Sequence, residues 1–183
     1  SAMIKEREDG SLARLLTMPC SYTSILISKI LVYLLVCMLQ FALITLMGVY
    51  LFPMFGLPSL AVYGHLTGLT VMALAAALAA IGYGISVGTI ARTHQQAAIF
   101  ASISVVILAA IGGIWVPIFM MPPFFRKISV ASPLNWGLNG FYDILVRNAH
   151  LADVIHYGVY MILFSLLCLL IALYYHKLRK EYN

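Results

Sequence analysis

No Asp, Glu, Lys or Arg occurs between Ile30 and Ala91, and none occurs between Thr93 and Phe125. A helix drawn from such runs has no charged face to turn toward water, so a soluble globule cannot be built on them. Composition agrees: 63% of the 183 residues are hydrophobic and 9% are charged, against roughly 45–50% and about 25% in soluble domains. Crossing about 30 Å of hydrocarbon takes about 20 mostly apolar residues as a helix. Four stretches meet that length, at about 25–52, 65–90, 97–117 and 154–176. The expected fold class is therefore all-α, a polytopic membrane helix bundle.

The breaks between these stretches carry their own signals. The first span is expected to stop at Pro53, and Pro53, Gly56, Pro58 and Gly64 read as a short turn. The second is rich in Ala and Gly. Its pairs Gly64/Gly68 and Gly84/Gly88 have the small-xxx-small spacing that admits another helix, with packing inside the bundle the plainer reading and a dimer seam the sharper one. The polar break Arg92-Thr93-His94-Gln95-Gln96 is short enough to be a surface turn. Residues 118–153 are too long for a turn yet remain apolar, and Trp115, Phe119, Phe124, Phe125, Trp136, Phe141 and Tyr142 stud the region with aromatics suited to the headgroup zone. Pro117, Pro122, Pro123 and Pro133 interrupt it. We read 118–153 as an external half-membrane helical hairpin, which must be buried in protein or line a watery cavity, because lipid offers backbone groups no hydrogen bonds.

Basic residues fix an expected orientation. With the amino-terminal segment inside, Lys5, Arg7, Arg14, Lys29, Arg92, Lys177, Arg179 and Lys180 face the cytoplasm, and Arg126, Lys127 and Arg147 lie outside. Both ends of the chain are then cytoplasmic. The net charge of +5 does not point to nucleic acid, since these residues flank apolar runs instead of gathering on one face.

Residues 1–20 form a separate cytoplasmic segment, and 21–183 the transmembrane domain. Leu12, Leu15 and Leu16 fall at i, i+3 and i+4 with Arg14 turned away, the pattern of a short amphipathic helix on the membrane surface. Such a helix serves either as a lipid anchor or as a contact for a protein partner. Its mixed charge, Lys5-Glu6-Arg7-Glu8-Asp9, leaves both readings open.

Glu6-Arg7-Glu8, Gly10, Leu12, Leu15-Leu16 and Pro19-x-Ser21 together resemble the cytoplasmic segment of type 2 ATP-binding-cassette permeases. Arg92 with Gln95-Gln96, the break from Gly112-Gly113-Ile114 to Pro117, Met121-Pro122, and Ser132-Pro133 with Trp136 extend the resemblance, in order, over essentially the whole chain. It implies a six-span permease subunit of an exporter in the bacterial inner membrane, here beginning after a missing second span. It also implies that Glu6, Arg7, Glu8, Gly10, Leu12, Leu15 and Leu16 form the coupling helix that meets a separate ATPase subunit. ATP and Mg would be bound by that partner, with no cofactor in this chain, and a second permease protomer, identical or not, would complete the path. Pro117, Pro122, Ser132, Pro133, Trp136, Asp143 and Arg147 would belong to the external hairpin above that path.

Enzyme signatures are weak. His65, His94, His150, His156 and His176 form no zinc-protease pattern, and neither a Gly-x-Ser-x-Gly elbow nor a Walker A sequence occurs. Cys20, Cys37 and Cys168 are too scattered for a disulfide framework or metal site. The nine methionines are mostly single residues in apolar spans, which suits packing better than a soft-metal path. Asp143 and Arg147 stand at i and i+4, the spacing of an ion pair on one helix face. Two rival functions remain: a membrane-embedded enzyme acting on lipid or envelope precursors through Asp143, His150 and Asp153, and a passive channel.

Overall fold

The computed structural model describes residues 22–60, 62 and 64–181; the expected coupling residues Glu6, Arg7, Glu8, Gly10, Leu12, Leu15 and Leu16 lie outside them. The described residues are almost wholly helical. Helix α1 spans Tyr22–Leu46 and continues through a π-helical stretch, Met47–Leu51, into a last turn, Phe52–Met54. Helix α2 is Leu66–Ile90, α3 is His94–Ile111, α4 is Pro123–Ser129, α5 is Pro133–Leu145 and α6 is Leu151–Glu181, with a 3-10 turn at Ile118–Met120. Among the described residues four helices are long and apolar enough to cross a membrane, Ser24–Met54, Leu66–Ile90, His94–Ile111 and Leu151–Leu178.

Helix α2 is the centre of the bundle. Of its most apolar stretch 61% is buried inside the protein, against 28% for α6, 11% for α3 and none for α1. Its main partner is α6, whose buried positions are Val154, Gly158, Met161, Ser165, Cys168 and Ala172. Those recur every three or four residues, so a single stripe of α6 faces α2 and the remainder faces outward. Most of the stripe is small, which lets the backbones approach. A Cβ added to Gly82 would sit 2.9 Å from the Ser165 carbonyl oxygen and 3.1 Å from its Cα. At the same crossing the Ser165 hydroxyl donates to the Leu78 carbonyl over 2.7 Å. The Gly84/Gly88 spacing is not used this way, for nothing lies within 4 Å of a Cβ built on Gly84, Gly88 or Gly64, whereas Gly68 meets Ile144 at 3.4 Å.

Two helix boundaries differ from the sequence-based expectation. The first span does not stop at Pro53 but carries it inside the final turn. A proline there removes a donor from the helical ladder, and the ladder shifts to π spacing just before it, with the Phe52 N–H bonded to the Met47 carbonyl. On that spacing the Gly48 carbonyl would look to the N–H that Pro53 lacks. The Leu60 N–H supplies it instead, at 3.2 Å, from the loop folding back. The third span ends at Ile111 rather than Pro117, because Gly113 adopts a left-handed φ of 92° that no continuing helix allows. At the other end of α3 the Thr93 hydroxyl accepts the Gln96 N–H, and the Gln96 side chain accepts the Arg92 N–H, close to a reciprocal capping box.

Replacing Gly82 by Leu is expected to cost roughly 1–3 kcal/mol or more, since the obstructing atoms are backbone and cannot swing aside. Gly84→Leu, on an open face, should leave stability nearly unchanged. Thermal unfolding of both variants in mild detergent checks the contrast; equal losses would refute the crossing.

Candidate functional site

The second helix of the hairpin, α5, descends into the bundle. Ile144, next to its carboxy-terminal residue, meets Gly68, two residues into α2. One turn earlier Gly140 faces Met72, and one turn earlier again Gly137 faces Met161, which lies ten residues into α6. At 1.5 Å per residue that places Gly137 about 15 Å along α6 from its hairpin end. The amino terminus of α5, deeper still, therefore lies at hydrocarbon depth, alongside the end of α3.

Two backbone carbonyls at the end of α3 are satisfied there by side chains from the start of α5. The Ser132 hydroxyl donates to the Leu108 carbonyl at 3.2 Å, and the buried Asn135 amide donates to the Gly112 carbonyl at 3.1 Å. Ser132 precedes Pro133, the first residue of α5, but spends its hydroxyl on α3 rather than on capping its own helix. The Asn139 amide donates to the Asn135 side-chain oxygen at 3.0 Å. Gly112 leaves room for this junction, since an added Cβ would lie 3.1 Å from Ser132 Oγ and 3.2 Å from the Asn135 nitrogen. Pro122 precedes α4, which opens on Pro123, and Pro117 precedes the 3-10 turn. The Trp136 indole N–H donates to the Val130 carbonyl at 2.6 Å and its ring lies 5.5 Å from that of Tyr160, so Trp136 ties the α4–α5 turn to α6.

Arg126, Asp143, Arg147 and Asp153 of the hairpin form local bonds. Asp143 and Arg147 are ion-paired at 2.8 Å with the Arg147 side chain 69% exposed, and the guanidinium lies 5.3 Å above the Tyr142 ring. Asp153 accepts the His150 backbone N–H at 3.0 Å, capping the start of α6. Arg126 donates to the Phe119 carbonyl at 3.3 Å. Each carboxylate proposed for acid–base chemistry is thus engaged in fixing a helix end or turn. The His65 and His150 rings lie 6.3 Å apart at the hairpin end. Among the described residues no group of three or more His, Cys, Asp or Glu side chains could hold a metal ion.

Beneath α5 lies a cavity of about 520 Å³ between α2, α3, α5 and α6, lined by residues such as Ala79, Val105, Leu138, Phe141 and Met161. Tyr83 also lines it, and its hydroxyl is hydrogen-bonded to Ser104 of α3. Sequence reasoning passed over Asn135, the Tyr83–Ser104 pair and Ser165. The available signal was the same in each case: a polar side chain within an apolar helix is costly unless it has a partner.

These features define a multi-pass helical membrane protein with a hairpin folded back between its spans. The chain belongs to the ABC-2 family of transporter proteins, whose family profile, described as ABC-2 family transporter protein, matches residues 1–174. It is also similar to the linearmycin resistance permease protein LnrN of Bacillus subtilis (strain 168), with 24% identity over 153 residues. That match covers 84% of this chain and 38% of the relative, so the chain spans well under half the relative's length. No solved structure matches the chain. The family is one of transporter proteins.

Asn135→Leu is expected to destabilise the protein by about 1–3 kcal/mol, because the Gly112 carbonyl is left without a donor in a site closed to water. Asp143→Asn weakens a pair whose Arg147 partner is 69% exposed and keeps a hydrogen-bond acceptor in place, so it should cost no more than about 1 kcal/mol. Denaturation midpoints in detergent give both numbers, and an Asp143 variant as damaged as the Asn135 variant would contradict this ranking.

Proposed function

We propose that this chain is the membrane-spanning part of an ATP-driven exporter, working with a separate ATPase subunit and a second permease protomer. The observation that carries the reading is the family match over residues 1–174, which runs from the amino-terminal charged segment through three spans and most of the fourth. The outward direction rests on the name of the Bacillus subtilis relative, a resistance permease. The orientation with both ends cytoplasmic rests on the basic residues flanking the spans, and placement in a bacterial inner membrane on the bacterial relative.

On this reading ATP and Mg are bound by the partner, and no cofactor resides in this chain. Glu6, Arg7 and Glu8 make the polar contacts to the ATPase, Gly10 belongs to the same coupling segment, and Leu12, Leu15 and Leu16 seat the segment in the membrane face. Closure of the ATPase pair pushes on that segment and biases the bundle between two packings; each nucleotide state must favour one of them, since a ligand shifts an equilibrium only by its differential affinity. The hairpin residues Pro117, Pro122, Ser132, Pro133, Trp136, Asp143 and Arg147 shape the far end of the path.

The test is affinity purification of the complete membrane protein in mild detergent, followed by identification of co-purifying subunits and assay of ATP hydrolysis, with wild type and Glu6→Lys. Wild type should retain an ATPase subunit. Reversing a charge at a desolvated contact costs on the order of 2–5 kcal/mol, so Glu6→Lys should lose the subunit or uncouple hydrolysis from transport. Absence of any ATPase, or unaltered transport by the Glu6 variant, would overturn the assignment.

A further inference from the structure

The cavity beneath α5 has a floor and a rim of different character. Ala79 and Met161 at its floor are buried, at 6% and 1% exposure, while Val105, Ile114 and Leu138 at its rim are 44%, 49% and 38% exposed. It is therefore open on one side, between α3 and α5. Along α2 its lining runs from Ala76 to Tyr83, about 15 to about 25 Å from the hairpin end of that helix at 1.5 Å per residue. The opening accordingly lies at the depth of the bilayer's hydrocarbon.

Polar chemistry at the site is already spent. None of the lining residues is charged. The Tyr83 hydroxyl pairs with Ser104. Of the carbonyls where α3 ends, that of Leu108 takes the Gly112 N–H and the Ser132 hydroxyl, and that of Gly112 takes the Asn135 amide. Water entering the cavity would find too few partners, and an apolar void of this kind stays dry. A void also deprives its lining of dispersion contacts on one side. An apolar occupant restores those contacts, and one that arrives from the bilayer loses no hydration in doing so.

We propose that the cavity binds a hydrocarbon chain, one acyl chain of a membrane lipid entering between α3 and α5, with the headgroup left outside. The volume, about 520 Å³, falls within the range of roughly 300–1,000 Å³ typical of small-molecule sites. The occupant packs against Ala79 and Met161 and bridges α3 to α5 and α6 beside the Tyr83–Ser104 bond. This inference does not depend on an ATPase partner and stands apart from the exporter assignment.

The experiment uses the complete protein in nanodiscs doped with a phospholipid carrying a diazirine at the end of one acyl chain, irradiated and mapped by peptide mass spectrometry. Label should concentrate on 76–83 and on Leu134 and Leu138, above the level on exposed α1 residues such as Leu35 and Ile44. Ala80→Phe, which fills the cavity from α2, should reduce cavity label by about fivefold or more while α1 label is unchanged. Leu138→Trp at the rim is the second variant should the first fail to fold. A phospholipid with the diazirine in its headgroup should not mark 76–83. Wild-type cavity label no higher than on α1, as when another stretch of polypeptide fills the space, overturns the proposal. So does label undiminished in both variants, or equal marking by the headgroup probe.

Discussion

A lipid bilayer gives a broken backbone nothing to bond to, and the arrangement of this bundle follows from how its breaks are satisfied. Where α3 ends inside the membrane, Ser132 and Asn135 from the start of α5 reach the Leu108 and Gly112 carbonyls. Where α1 meets Pro53, the loop returns so that the Leu60 N–H reaches Gly48. An unsatisfied group in either place would cost several kcal/mol, comparable with a large share of a domain's net stability. The descent of α5 is therefore a requirement of α3's early end. The two cannot be altered independently.

Close approach is governed by small residues, but at particular places. Gly82 admits the Ser165 backbone, Gly112 admits Ser132 and Asn135, and Gly68 admits Ile144. Between these points α2 and α6 interlock through larger side chains, with Met72 and Met161 buried at 0% and 1% exposure. Methionine suits this role because its unbranched, polarisable side chain fills irregular gaps. The α2–α6 pair thus forms the rigid part, against which α5 leans and around which α1 and α3 are placed.

How much of this could be read from the sequence depends on what each signal measures. Charge-free length locates the spans because hydrocarbon thickness is a one-dimensional constraint, and the four helices fall near the expected ranges. Their ends are less legible. The run Ile111-Gly112-Gly113-Ile114-Trp115-Val116 is apolar throughout, so hydropathy cannot see the helix stop; the left-handed Gly113 and the bond from Asn135 stop it. Pairs of glycines four apart were visible, yet which glycine makes contact depends on the rotation of α2 about its axis, and Gly82 rather than Gly84 or Gly88 points at α6. The Thr93-x-x-Gln96 spacing is a capping signature that marks the start of α3 within the polar turn. The i, i+4 spacing of Asp143 and Arg147 did give their ion pair, since on one helix the spacing determines the geometry.

The unequal burial of the spans has a mechanical consequence. Helix α3 contributes few buried apolar side chains, and its ties to the bundle are mainly the Tyr83–Ser104 bond, the small cluster of Val87, Ala91 and Ala97, and the junction with α5. Individual hydrogen bonds contribute about 0.5–1.5 kcal/mol, far less than the extended α2–α6 interface. Segments with few buried contacts are those that open or shift at least cost. Helix α3 also borders the cavity through Val105 and Leu108. A displacement of α3 would change the cavity's mouth, and the ties at its two ends together with the Tyr83–Ser104 contact between them limit how far it can go.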